Sequence, residues 1–148
     1  MATPKTKTAA KKGLEFSRRF TKDNVSPFDQ FEYDYRDSVI KNPNGEKVFE
    51  MTNVEVPKQW SQIATDILAQ KYFRKAGVPQ PDGSLGRETT VKQVAHRMAN
   101  CWRVWGERYG YFATEQDAQT FYEELVYSIL NQACVPNSPQ WFNTGLHE

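Results

Sequence analysis

From Asn131 to Gly145 the chain reads Asn-Gln-Ala-Cys-Val-Pro-Asn-Ser-Pro-Gln-Trp-Phe-Asn-Thr-Gly. These are the residue types of a rigid, polar loop. Pro136 and Pro139 lie three positions apart, which argues against a helix and stiffens the backbone around Asn137 and Ser138. Hydroxyl and amide donors held in this way can grip an anion such as phosphate without lysine. The same residues also suit a plainer role, an Asx or Ser turn that caps the end of the preceding helix. Residue types alone leave both readings open.

Elsewhere the chemistry-bearing residues are scattered. His96 and His147 are distant in sequence and neither has a cysteine or carboxylate at metal-ligand spacing, so no zinc site is expected. His96 reads as a structural histidine beside an apolar helix stripe. Cys101 and Cys134 read as small buried apolar residues, and without a CxxC pair or a signal-peptide pattern they suggest a reducing, cytoplasmic setting. No GxxxxGK[ST], GxGxxG or GxSxG occurs, which removes support for phosphate-loop ATPases, dinucleotide folds and hydrolase elbows. Trp102-Arg103-Val104-Trp105-Gly106 mixes aromatic and basic side chains as a base-stacking surface does. Helical spacing places Trp102 and Trp105 on the Met98 face instead, where core packing is expected.

Certain elements must carry these residues. Phe16, Phe20, Val25, Phe28 and Phe31 are spaced irregularly, as in an arm that lays aromatic anchors on a body. Tyr33-Asp34-Tyr35 and Val48-Phe49-Glu50-Met51 flank Asn42-Pro43-Asn44-Gly45, which predicts a β-hairpin closed by Pro57. Trp60, Ile63, Ala64, Ile67 and Leu68 follow a helical period that Gly77 and Pro79 stop. After an exposed loop from Pro79 to Gly86, Thr90 and Gln93 form a capping-box pattern. The helix they open carries Val91, Val94, Ala95, Met98, Trp102 and Trp105. A third helix begins near Thr114, with Glu115 and Asp117 in its first turn, and buries Ala118, Phe121, Tyr122, Leu125, Ile129 and Ala133 before Pro136.

Composition agrees with a folded domain: 148 residues, 39% hydrophobic, with 4 Trp, 7 Tyr and 9 Phe. No apolar run is long enough to span a membrane. The net charge of +1 hides an asymmetry, because residues 1–22 carry seven basic groups against Glu15, leaving the remainder at −5. A basic tail on an acidic body reads as a solvated leader rather than a nucleic-acid domain.

Pro136-Asn137-Ser138-Pro139-Gln140-Trp141-Phe142-Asn143-Thr144-Gly145-Leu146 resembles the loop that opens the catalytic barrel of adenosylcobalamin-dependent, class II ribonucleotide reductases. Val56-Pro57-Lys58-Gln59-Trp60-Ser61, Gln70-Lys71-Tyr72-Phe73-Arg74-Lys75 and Trp102-Arg103-Val104-Trp105-Gly106 are similar to that family's amino-terminal region, in the same order. The resemblance covers about residues 14–148. It implies that Ser138 contacts the substrate's phosphate, with Asn137, Pro139 and Gln140 shaping the pocket. Gln140 departs from many relatives of the wider superfamily, which carry Thr or another small residue there.

The resemblance further implies a mainly α segment with a small β-hairpin, the amino-terminal portion of a ten-stranded α/β barrel fold whose barrel lies mostly beyond Glu148. The expected organisation is a basic flexible leader over 1–22, an aromatic arm and hairpin over 23–57, a helical domain over 58–135, and the substrate-phosphate loop with the start of the barrel over 136–148. The complete enzyme is expected to reduce ribonucleoside diphosphates for DNA synthesis. It would do so through a thiyl radical initiated by adenosylcobalamin, with electrons from a dithiol such as thioredoxin, allosteric control and homodimerisation.

No catalytic residue, metal ligand or identified cobalamin ligand is expected within this chain, and neither Cys101 nor Cys134 matches a catalytic cysteine by motif. The chain alone should be inert. The barrel would be supplied in cis or as a second chain, against an edge near Cys134 to Leu146 on which exposed Trp141 and Phe142 act as anchors. Two alternatives remain: a nucleic-acid-binding module that uses the leader and aromatic surface, or a helical adaptor whose terminal loop is only a cap.

Overall fold

A computed structural model describes residues 13–146. Lys5, Lys7, Lys11 and Lys12 of the basic leader, and His147, lie outside the described residues. From Leu14 onward the chain runs along the body: the Leu14 amide donates to the Tyr111 carbonyl at 2.7 Å, and the Phe16 amide to Asp117 at 2.7 Å. Glu124 accepts from the amides of Arg19, Phe20 and Thr21 and, at 2.6 Å, from the Thr21 hydroxyl. Arg18 pairs with Glu123 and Asp23. Phe16 packs edge-on against Phe121, and Phe20 stacks on Tyr127, so the aromatic residues of this segment do act as anchors.

The hairpin consists of β1 (Tyr33–Lys41) and β2 (Lys47–Pro57), antiparallel, with Ser38 opposite Met51 and Tyr33 opposite Pro57. Gly45 closes its turn at φ 85°, a conformation that needs no Cβ. A bulge interrupts the register near Asp37, whose carboxylate accepts the Asn53 amide while Asn53 adopts φ 56°.

Next comes α1 (Gln62–Ile67), capped by Ser61 and continued by a π-helical turn, Leu68–Tyr72. Trp60 precedes the helix, whose buried face runs through Thr65, Leu68 and Ala69, so the apolar stripe expected from the sequence is only half right. Leu68, Ala69 and Phe73 are buried with Trp60, whereas Ile63 is 71% and Ile67 41% exposed. A two-residue ribbon follows, β3 (Val78–Pro79) paired with β4 (Leu85–Gly86) around the predicted exposed loop.

Helix α2 (Val91–Arg108) starts at the predicted capping box, with Thr90 and Gln93 satisfying each other's end of the helix. Helix α3 (Glu115–Leu130) is capped by Thr114 and stops earlier than Pro136 suggested: Gln132 turns left-handed at φ 56° and leaves Ala133 and Cys134 exposed. Val94, Ala95 and Met98 of α2 meet Tyr122, Val126 and Ile129 of α3 in one core, which Met51, Val54 and Val56 of the hairpin complete. Trp105 is 43% exposed rather than packed inside.

The last element, α4 (Ser138–Asn143), is a helix where two prolines argued for none. Pro139 is tolerated because it stands in the first turn, whose N–H groups have no intrahelical acceptor. Trp141, expected to be exposed, is 5% exposed and belongs to the core, whereas Phe142 does face outward at 44%. Among the described residues no helix is long and apolar enough to cross a membrane.

Candidate functional site

Asn137 sits in extended backbone immediately before α4 and acts as its cap, its carbonyl and side chain both accepting from the Gln140 amide at 3.0 and 3.4 Å. The turn predicted as a helix cap therefore exists, but it caps the helix that follows rather than the one that precedes. Asn137, Ser138, Pro139 and Gln140 are all exposed, so this first turn faces solvent with its hydroxyl and amide groups. Beneath it Trp141 is locked in place, its indole N–H donating to the Pro136 carbonyl at 2.7 Å.

One side chain that sequence reasoning passed over joins the site. Tyr72, at the end of the π-helical turn, brings its hydroxyl to 3.0 Å from Ser138 Oγ. Its ring stacks on Trp141 at 5.2 Å and leans on Phe142 at 5.4 Å. The two hydroxyls form a neutral donor and acceptor pair, and Tyr72 also lines an apolar groove of about 230 Å³ with Trp60, Leu68, Ile129 and Trp141. Such a pair can hydrogen-bond a phosphoryl or hydroxyl oxygen, while the groove accepts apolar atoms beside it. Tyr72 lies within a stretch that carried the family resemblance, but 66 positions of separation from Ser138 hide the contact from any local pattern.

Charge enters behind the loop. Glu88 is buried, and its carboxylate receives the Arg97 guanidinium at 2.7 and 3.1 Å and the Arg74 amide at 2.7 Å. Arg97 also donates to the carbonyls of Thr144 and Trp141, and Arg74 to that of Leu146. These groups ring a polar hollow of about 250 Å³ that His96, Asn100, Cys101 and Gly145 also line.

The remaining candidates are structural in their surroundings. His96 Nδ1 shares a 2.7 Å hydrogen bond with the Tyr122 hydroxyl, and burial, aided by the positive charge of Arg103, holds the imidazole below its ordinary pKa. Arg103 lies over the Tyr122 ring at 5.2 Å and bonds Gln119 and Asn100. Cys101 is buried, whereas Cys134 is exposed. Among the described residues no group of three or more His, Cys, Asp or Glu side chains could hold a metal ion.

The family described as class II vitamin B12-dependent ribonucleotide reductase matches residues 34–132. Proteins named vitamin B12-dependent ribonucleotide reductase are similar over nearly all of the chain. That of Bradyrhizobium diazoefficiens is 42% identical over 163 residues and that of Agrobacterium fabrum 43% over 162, each covering 90% of this chain. A third, from Streptomyces clavuligerus, is 43% identical over 140 residues, covering 93%. The chain spans only 13% of the length of the first two relatives and 14% of the third.

Proposed function

Because the chain belongs to the class II vitamin B12-dependent ribonucleotide reductases, we propose that it serves as the amino-terminal segment of an enzyme that reduces ribonucleotides, and that its own part is to hold the substrate's phosphate. The substrate is a ribonucleoside diphosphate, and the loop from Asn137 to Gln140 receives it. One observation carries this reading: Ser138, the residue that the family resemblance assigns to phosphate, is exposed with a second hydroxyl, that of Tyr72, within hydrogen-bond distance. Two neutral hydroxyls bind phosphate oxygens without a buried counter-charge, which suits a substrate that must bind and leave in every turnover. Asn137 holds the turn, Pro139 stiffens it, and Gln140 presents its side chain at the exposed face.

In the whole enzyme adenosylcobalamin supplies the radical that starts reduction at the ribose. The described residues do not make a site for it. The apolar groove beside α4, about 230 Å³, is far smaller than a corrin with its nucleotide tail. A second hollow, about 880 Å³ at the α2–α3 turn, carries Glu107 and Glu115 on its lining and no histidine. Under this reading the chain works with the carboxyl-terminal barrel, in cis or as a second chain, with a dithiol reductant, and in a homodimer.

The test is a comparison of ADP with adenosine by amide chemical shift on the labelled chain. ADP should move the amides of Asn137, Ser138 and Gln140 while adenosine leaves them in place, and Ser138→Ala should weaken ADP about tenfold, as expected for losing a hydrogen bond to a charged group. Equal responses to ADP and adenosine would overturn the reading.

A further inference from the structure

A six-residue helix on a surface loop has little to hold its direction, since it is shorter than an isolated helix needs to be stable. The carbonyls of its last turn also lack intrahelical partners. Here the Trp141 carbonyl of that turn and the carbonyl of the cap residue Thr144 both find a partner. Arg97, from the middle of α2, donates one nitrogen to the Thr144 carbonyl at 2.6 Å and the Trp141 carbonyl at 3.3 Å. Its other two nitrogens form a two-point bond with Glu88. The guanidinium has its full fork engaged, and its side chain is only 9% exposed against 3% for Glu88.

Glu88 is itself fixed by the Arg74 amide, and the Arg74 guanidinium continues the pattern to the Leu146 carbonyl at 3.1 Å. The backbone joins in as well. Gly145 adopts φ 72° and lies so close to α2 that a Cβ there would collide with the Arg97 carbonyl oxygen. Segment 141–146 is thus held against α2 by side chain and main chain at once, and Asn137 to Gln140 form the other end of the same short helix.

We propose that Arg97, oriented by Glu88, is the positioning residue of the Asn137–Gln140 loop: it ties the carboxyl end of α4 to α2 and so aims the exposed turn at the amino end. Only the ligand readout of this inference rests on the phosphate reading above. Arg97 reaches no substrate itself, because each of its nitrogens is already bonded within the protein. Lysine cannot replace it, since an ammonium group lacks the planar fork that bonds carboxylate and carbonyls together.

The test uses the 148-residue chain and two measurements. Hydrogen exchange without ligand reads the amides of Gln140, Trp141 and Thr144, which bond to the carbonyls of Asn137 and Gln140 within the helix. ADP titration reads the exposed turn. In Arg97→Lys these three amides should lose protection about tenfold while α2 and α3 keep theirs, and ADP should bind about fivefold more weakly. Gly145→Ala, which leaves the ion pair intact but forces the segment off α2, should show the same pattern. It also keeps the inference testable if Arg97→Lys folds poorly.

Unchanged protection at these amides in both variants would overturn the proposal. So would lost protection with ADP affinity equal to wild type, in a chain where Ser138→Ala weakens it. Absence of any phosphate-dependent response in the wild-type chain is a separate result: it overturns the phosphate reading, and with exchange measured free of ligand it is told apart from a failure of the clamp.

Discussion

At the scale of single residues, the Ser138 hydroxyl draws its chemistry from the Tyr72 hydroxyl at 3.0 Å, and the Arg97 guanidinium from the Glu88 carboxylate at 2.7 Å. Ser138 and Asn137 stand out by their place between two prolines, but Tyr72 becomes part of the site only because the π-helical turn and α4 pack their aromatic rings together. The same holds for Glu88 and Arg97, two charges without a motif whose meaning lies in burial. Tyr72→Phe isolates the hydroxyl: the stack on Trp141 and Phe142 survives, the bond to Ser138 does not. Stability should change by less than about 1 kcal/mol because that bond is exposed, while ADP affinity should fall roughly threefold. Thermal melts alongside titration check both, and a large loss of stability with full affinity would refute the assignment. Glu88→Leu acts oppositely, leaving Arg97 buried without its counter-charge, and should cost about 3–5 kcal/mol in denaturant unfolding.

Elements were legible wherever periodicity and caps agreed, as in the hairpin and in α2 with its Thr90–Gln93 box. They were misread where the buried face or the end of a helix was set by a local device. The face of α1 through Thr65 and Leu68 is the buried one and leaves Ile63 and Ile67 exposed, and Gln132, by turning left-handed, ended α3 before proline could. That strained position makes a prediction: Gln132→Gly removes the Cβ penalty and, after the added entropy of the unfolded chain, should stabilise by about 0.5 to 1 kcal/mol in urea unfolding. The arm over Leu14 to Thr21 is held by carboxylates instead of by a large core. Burial opposes the charge on Glu124, yet the Thr21 hydroxyl and the amide donors outweigh it and hold that carboxyl below its ordinary pKa. The Asp117 carboxyl is lowered too, chiefly by the Thr114 hydroxyl and then by the Phe16 amide. A depressed carboxylate contributes its stability above the ordinary value and loses it as pH falls through the depressed one. The arm should therefore stay docked at neutral pH and detach below about pH 4, ahead of the helical core. Resonances of Phe20 and Thr21 followed through an acid titration check this, and Glu124→Gln should remove most of the pH response. An arm that stays in place until the whole chain unfolds would refute it.

The whole molecule turns on Trp60, which no motif in the sequence marks as a joint. Its indole N–H donates to the Leu130 carbonyl at 2.7 Å, at the end of α3, while its own carbonyl accepts from Arg36 of β1 at 2.5 Å. Arg36 also bonds the Lys58 carbonyl, so the hairpin, the entrance to α1 and the end of α3 meet at one buried side chain that is 6% exposed. Helical spacing made Trp60 a core residue, but only the packed structure shows that it links elements separated by 70 positions. The same residue lines the groove beside α4, so the site and the hairpin share a wall. If one core holds all of this together, damage at Trp60 must be felt everywhere at once. Trp60→Phe removes the bond to Leu130 and leaves a smaller ring, which should cost about 2–4 kcal/mol. The loss should lower a single transition rather than split it, as expected for a cooperative domain of this size. Far-ultraviolet circular dichroism reports the helices and the indole N–H resonance of Trp141, which bonds the Pro136 carbonyl, reports the α4 corner; the two unfolding curves should coincide in the wild-type chain and shift together in Trp60→Phe. Curves that separate in the variant would mean that the α2–α3 pair supports itself without the hairpin, and that the loop at α4 keeps its place through the Arg97 and Arg74 bonds without Trp60.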